Sequence, residues 1–268
     1  MLFRSVACRP GDAFAVGLFL PVLWHLGRGN LISRATLVRF ACIAVPIGLW
    51  LVALLAHNQA RFGRPLEFGI NYQLTSTYEA KQRHFALEYV PHNAWIYFFQ
   101  PLRHTPEFPH VAAVAVRGGP RGYLGEWVEP IAGLLPTFPF LLAILGCLGW
   151  PRAGAAADSR LRALVVAVAA AAAGTILFYL CFYCATPRYT AAFAPLLALL
   201  ASVGALLLAE RWAGRRLRAV WLTVFAVLAL VSIAHGVLLG FDYHDRLLQR
   251  LRPDYWNELA RAAAPWRP

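Results

Sequence analysis

The stretch ALVVAVAAAAAGTILFYLCFYCATPRYTAAFAPLLALLASVGALLLA, residues 163–209, decides the fold. It holds one charged residue, Arg188, and the turn Thr186-Pro187-Arg188-Tyr189-Thr190 divides it into two apolar runs, 163–185 and 191–209. A span needs roughly 17–25 apolar residues to cross a hydrocarbon core of about 30 Å. Each run therefore predicts a transmembrane helix. Lipid offers no partner for backbone polar groups, so segments of this length satisfy themselves as helices.

Four further apolar runs lie outside this pair, at 13–27, 40–56, 131–150 and 219–241. The composition agrees: 14% of the 268 residues are charged and 59% are hydrophobic, whereas roughly 25% charged is usual for a soluble protein. Surface-to-volume scaling leaves no soluble fold of this size enough interior to hide so much apolar side chain. The sequence predicts an all-α fold, a polytopic transmembrane helix bundle of about six spans with one long extracytoplasmic loop. Residues 1–56 hold two spans, 57–130 the loop with its interfacial aromatic segments, 131–241 four spans, and 242–268 an amphipathic extracytoplasmic tail. The run 13–27 is short and follows Arg4 and Arg9, as a signal peptide would, but Gly27-Arg28-Gly29-Asn30 has no small-x-small cleavage pattern, and the run is read as a span. Pro46, Pro136, Pro139 and Pro195 mark where helices could break.

A net charge of +12 could suggest nucleic acid, yet only Lys81 among the 25 basic residues is lysine, and the arginines cluster between apolar runs. That is the pattern of the positive-inside rule. Arg28, Arg34, Arg39, Arg152, Arg160, Arg162, Arg211, Arg215, Arg216 and Arg218 occupy alternate connections with only Asp158 and Glu210 beside them, which assigns those connections to the cytoplasm. The loop 57–130, the turn 186–190 and the tail 242–268 then face the other side. Nucleic acid is excluded as a partner, and membrane lipid is implied. Five cysteines, an odd number mostly inside apolar runs, give no disulfide framework.

The 57–130 connection is far longer than an ordinary loop, and loops of that length are commonly functional. Its segments 85–90 and 94–99 are rich in Trp, Tyr and Phe and are separated by Pro91. Such rings suit the headgroup layer, so the loop is expected on the membrane surface, with packing of a small subdomain as the equal alternative. In the tail, Leu247, Leu248 and Leu251 share a helical face flanked by Arg246, Arg250 and Arg252, and Asp254 is expected to cap a second short helix carrying Tyr255, Trp256 and Leu259. That helix is either interfacial or a cap on the bundle.

Familiar soluble-enzyme motifs are absent: there is no His/Cys cluster with metal-ligand spacing, no phosphate-cradling Gly loop and no nucleophilic triad. Cys181-x-x-Cys184 lacks a second pair and a nearby His, and reads as small apolar filling. His25 and His235, near span ends, read as hydrogen-bonded packing residues. Arg188 is different. A tight turn holds its guanidinium at the extracytoplasmic surface beside two helix ends, and charge held there is a functional candidate whose planar fork suits phosphate. The alternative is a snorkelling arginine that anchors a helix end.

The segment from Arg188-Tyr189 through Pro195 to the Leu/Ala-rich helix resembles a late segment of GT-C type polytopic glycosyltransferases, the polyprenyl-phosphate-sugar dependent, protein mannosyltransferase-like family. The stretch from Asn58 to Leu74, NQARFGRPLEFGINYQL, is similar to one in a group of bacterial membrane proteins of GT-C-like architecture, and Arg9-Pro10 resembles the basic residue that precedes an inward-running helix in them. The resemblance implies transfer of a sugar from a polyprenyl-phosphate donor at the extracytoplasmic face of a multi-pass cell membrane protein of envelope biosynthesis, the inner membrane in a Gram-negative cell. On it, Arg188, Tyr189, Arg61 and Arg64 would bind the lipid phosphate. Glu67, Glu126 and Glu129, the acids nearest the span ends, become candidates for the catalytic base, each set against a structural hydrogen-bonding role. No cofactor is visible, while the family admits a divalent metal. The family's acidic loop would precede the matched part, where this chain offers only Asp12, so the chain is expected to correspond to a C-terminal half, with the N-terminal half as a partner. The alternative class is a non-catalytic scaffold or transporter subunit, which the lack of acidic or basic residues deep in the spans makes less attractive as a transporter.

Overall fold

A computed structural model describes residues 33–67, 83–123, 129–149, 156–212 and 214–263. Its elements in chain order are α1 (Arg34–Phe62), α2 (Val90–Ala94), β1 (Arg103–His104), β2 (Val111–Ala112), α3 (Leu134–Thr137), α4 (Ala156–Leu180), α5 (Pro187–Arg211), α6 (Arg215–Leu251) and α7 (Pro253–Ala263). Single turns of 3-10 and π geometry flank α2 at Leu87–Tyr89 and Trp95–Phe99, and a longer 3-10 helix covers Pro139–Gly149. The protein is mostly helical, and among the described residues four helices are long and apolar enough to cross a membrane: Leu37–Phe62, Leu161–Leu180, Pro187–Arg211 and Arg216–Asp242. These correspond to the apolar runs at 40–56, 163–185, 191–209 and 219–241. The run 13–27 and Glu126 lie outside the described residues.

The chain forms two compact units, Met1–His84 with Arg152–Phe178, and Phe85–Pro151 with Tyr179–Pro268. In the first unit, α1 exposes Leu37, Phe40, Leu49, Trp50 and Val52 around its circumference. A helix apolar on every side is made for lipid or for partner helices rather than for water. Pro46 lies inside α1 and Pro195 inside α5, so neither ends its helix. Hydroxyls in the apolar helices fold back on their own backbone: Thr175 donates to the Ala171 carbonyl at 2.9 Å, Ser202 to Ala198 at 2.9 Å and Ser232 to Leu228 at 2.7 Å. This i−4 bond satisfies a polar group where no water competes.

In the second unit the run 131–150 departs from expectation. Instead of one spanning helix it gives the four residues of α3, a break at Phe138, and the eleven-residue 3-10 helix. Pro139 explains the break, because a proline crowds the residue before it, here Phe138, out of helical geometry. At about 2.0 Å rise per residue the 3-10 helix reaches about 22 Å, against about 16 Å for the same residues as α-helix.

That helix packs on α5, where Gly204 lies against Ala143 and Gly146, and Cys147 donates its thiol to the Leu200 carbonyl at 3.4 Å. The backbones approach so closely that a Cβ on Gly204 would strike the Ala143 carbonyl, and one on Gly146 the Gly204 carbonyl. Small residues allow such proximity between apolar helices, where van der Waals packing drives association. Gly204→Val is therefore expected to destabilise this unit by about 3 kcal/mol, as overpacking against backbone does. Thermal unfolding in detergent would read this as a lowered midpoint, and an unchanged midpoint would refute the close packing.

A small hairpin in this unit is tied to its last two helices. β1 and β2 pair antiparallel, with His104 opposite Val111. Asp242 accepts the Ala113 amide at 2.9 Å and pairs with Arg246 at 3.4 Å, tying the hairpin to α6. Trp256 of α7 is buried, with its ring 4.8 Å from Phe108 and 6.5 Å from Phe241. Trp256 thus caps the subdomain, while Tyr255 stays exposed. Asp254 falls in the first turn of α7, after Pro253, rather than at the N-cap. There it still complements the helix dipole. Pro91 does not interrupt the aromatic segments either, because it sits in the first turn of α2, where a missing amide costs nothing.

Candidate functional site

The site forms where α4 ends and α5 begins. The last carbonyls of any helix lack intrahelical partners, and at α4 they are gathered by one side chain. Asn93, fully buried, directs its Nδ2 to the carbonyls of Tyr179 at 3.3 Å, Leu180 at 2.9 Å and Phe182 at 2.7 Å. Its Oδ1 accepts the Tyr123 hydroxyl at 2.6 Å. Phe85 and Phe182 form an antiparallel bridge at the same place, with Ala86 donating its amide to the Cys181 carbonyl at 2.9 Å. One turn beyond Asn93, Tyr97 is buried edge-on against Phe193 of α5, with ring centroids 5.6 Å apart. The π-turn that follows α2 thus wedges into the α4–α5 corner.

On the outer side of that corner Arg188 pairs with Glu129 at 3.3 Å, the arginine side chain 61% exposed and the carboxylate side chain 22%. Pro187 opens α5 with its φ already helical, and no acidic residue occupies the first turn. Arg188 therefore stands at the positive end of the helix dipole, a place that favours anions. Tyr189 stacks on Tyr179 with centroids 4.7 Å apart and planes 17° apart, and Phe182 meets it edge-on at 5.5 Å. The Tyr189 hydroxyl pairs with Cys184. Cys184 is itself buried with Ala86, Tyr89 and Tyr183, which is the packing role expected of it.

Burial raises the Tyr97 and Tyr123 hydroxyls above the ordinary phenol range, so both remain protonated at physiological pH. Burial also lowers His92 below the usual imidazole value, favouring its neutral form against the Tyr123 ring 4.6 Å away.

Of the residues singled out from sequence, Arg188, Tyr189 and Glu129 come together in the second unit. Arg61, Arg64 and Glu67 belong to the first unit. There Arg61 lies over the Phe62 ring at 5.0 Å, the Glu67 amide donates to the Arg64 carbonyl at 3.3 Å, and Asn58 caps the Pro65 carbonyl at 3.2 Å. Glu67 is buried. Among the described residues no group of three or more His, Cys, Asp or Glu is placed to hold a metal ion, so the divalent cation admitted by the family resemblance finds no donor set there. His235 approaches the Thr137 carbonyl at 3.3 Å, as a packing histidine should.

Asn93 escaped the sequence reading. Its signal was an amide side chain in an otherwise aromatic and apolar segment, Pro91-His92-Asn93-Ala94-Trp95. Asn93→Leu would leave three carbonyls and the Tyr123 hydroxyl without this partner, and unpaired buried groups cost about 1–3 kcal/mol each. A combined loss of about 3–5 kcal/mol is expected, allowing for relaxation. Tyr123→Phe should lose only about 1 kcal/mol. Equal midpoints for the two variants would show that Asn93 is not the hub.

Compared with known proteins, the chain matches no family model, no curated protein and no solved structure.

Proposed function

We propose that this is a multi-pass membrane protein that transfers a sugar from a polyprenyl-phosphate donor at the extracytoplasmic face, as GT-C glycosyltransferases do. The observation that carries the reading is the Arg188–Glu129 pair at 3.3 Å, at the start of a helix long and apolar enough to span a membrane. A phosphate-binding cation and a carboxylate base must stand within a few ångströms of one another for such a transfer, and these two residues are far apart in sequence. The donor phosphate takes the guanidinium fork, aided by the dipole of α5. Glu129, released from the arginine, accepts the proton of the acceptor hydroxyl. The acceptor oxygen then bonds to the anomeric carbon as the bond from that carbon to phosphate oxygen breaks, and the lipid phosphate leaves with the electron pair, held by Arg188.

The direct test uses the purified full chain in nanodiscs with a radiolabelled polyprenyl-phosphate sugar. Expected are saturable binding, competed by unlabelled polyprenyl phosphate and not by the corresponding polyprenol, and release of polyprenyl phosphate when acceptor is supplied. Equal competition by the alcohol would rule out phosphate recognition.

A further inference from the structure

We infer that the corner joining α5 to α6 is a binding site for the headgroup of an anionic phospholipid. The inference rests on reading these helices as membrane spans, and it concerns a different place from the Arg188 site. α5 ends at Arg211 and α6 begins at Arg215, so two apolar helices meet across a very short connection. Three arginines, Arg211, Arg216 and Arg218, stand at this corner beside one acid, Glu210, and the first turn of α6 has no acidic residue. Arg211, Arg216 and Arg218 are exposed, and among the described residues none of the three is ion-paired. Cations gathered so closely repel one another, and a bound anion relieves that repulsion.

The two helices are also joined by side-chain contacts at the edge of the apolar segments. Trp221 of α6 donates its indole N–H to the Ala205 carbonyl of α5 at 2.9 Å. Trp212 stands edge-on to Trp221, centroids 5.4 Å apart and planes at 89°, and remains 38% exposed. Tryptophan at such a position marks the headgroup layer. Leu217 and Val220 are exposed beside the arginines and offer apolar contact to acyl chains. A phosphodiester carrying net negative charge suits the guanidinium forks. A zwitterionic lipid would bring its ammonium against the same cluster, so the site prefers phosphatidylglycerol to phosphatidylcholine.

Native mass spectrometry of the full chain in detergent, titrated with each lipid, tests this. One phosphatidylglycerol should be retained per chain in preference to phosphatidylcholine. Removing two arginines in R216Q/R218Q should weaken that retention about thirtyfold, from roughly 1 kcal/mol per basic residue near a lipid surface. R250Q/R252Q, with the same charge loss at the far end of α6, should leave it unchanged. Trp212→Leu, which keeps every charge, should also weaken it by loosening the corner. Equal retention of the two lipids, or equal loss in the far-end control, would overturn the site. A chain released from membranes by alkaline carbonate would overturn the span reading together with this one, whereas a carbonate-resistant chain without headgroup preference overturns this site alone.

Discussion

Arg188→Ala is expected to abolish binding of a polyprenyl-phosphate donor while leaving the protein inserted and folded. The two halves of this expectation have separate physical grounds. The Arg188–Glu129 pair is largely solvent-exposed on the arginine side, and exposed pairs contribute about 0–1 kcal/mol to stability. Pro187 still opens α5 after the substitution, and Asn93 still holds the end of α4. The fold should therefore tolerate the loss. Binding should not, because hydrogen bonds to a charged group contribute about 1.5–3 kcal/mol, roughly ten- to hundredfold in affinity. Arg188→Lys, which keeps the charge and loses the planar fork, should fall between the two. Titration of the purified variants beside the unaltered protein reads all three, and undiminished binding by Arg188→Ala would sink the phosphate role.

The sequence carried this prediction only in part, for a physical reason. Hydropathy is a local property, so the runs at 40–56, 163–185, 191–209 and 219–241 were visible as helices long enough to span. Continuity is less local. The run 131–150 is as apolar as the others, but Pro139 and the need to fit against Gly204 turn it into a short helix followed by a 3-10 helix. The same limit applies to the site. Arg188 stood out because a lone charge between two apolar runs is costly unless it is used, and Glu129 because it lies near a span end. Their pairing was not legible, since nothing in the local sequence brings residues so far apart together. Asn93 was invisible for the same reason, as its partners Tyr179, Leu180 and Phe182 lie 86 to 89 positions away.

The aromatic and apolar residues of the long loop divide into a buried and an exposed set. Tyr89, Ile96 and Tyr97 turn inward and build the subdomain, whereas Leu87, Trp95 and Phe99 remain exposed. The inward set fixes the corner between α4 and α5. On the proposed function this anchoring matters, because a catalytic pair must be held to within a fraction of an ångström of its productive geometry. Glu129 lies just before Ile131, which exchanges backbone hydrogen bonds with Val114 at 3.0 and 3.1 Å. Arg188 follows the turn whose start Asn93 clamps. Each half of the pair is thus positioned by its own backbone anchor.

Glu129→Gln separates base from binding residue. Glutamine keeps the size of the side chain and removes its charge, so Arg188 loses a competitor for its fork. Donor binding should be unchanged or tighter, in contrast to Arg188→Ala. Turnover should fall by about a hundredfold or more, the usual contribution of a positioned general base. The loss should appear in the rate at saturating donor, because the proton transfer belongs to the chemical step and not to donor capture. If Glu129 served only to orient Arg188, the variant would instead bind donor less well and turn over at an undiminished saturated rate. Single-turnover transfer with prebound donor distinguishes these outcomes, and full activity in that assay would assign the proton to another acceptor.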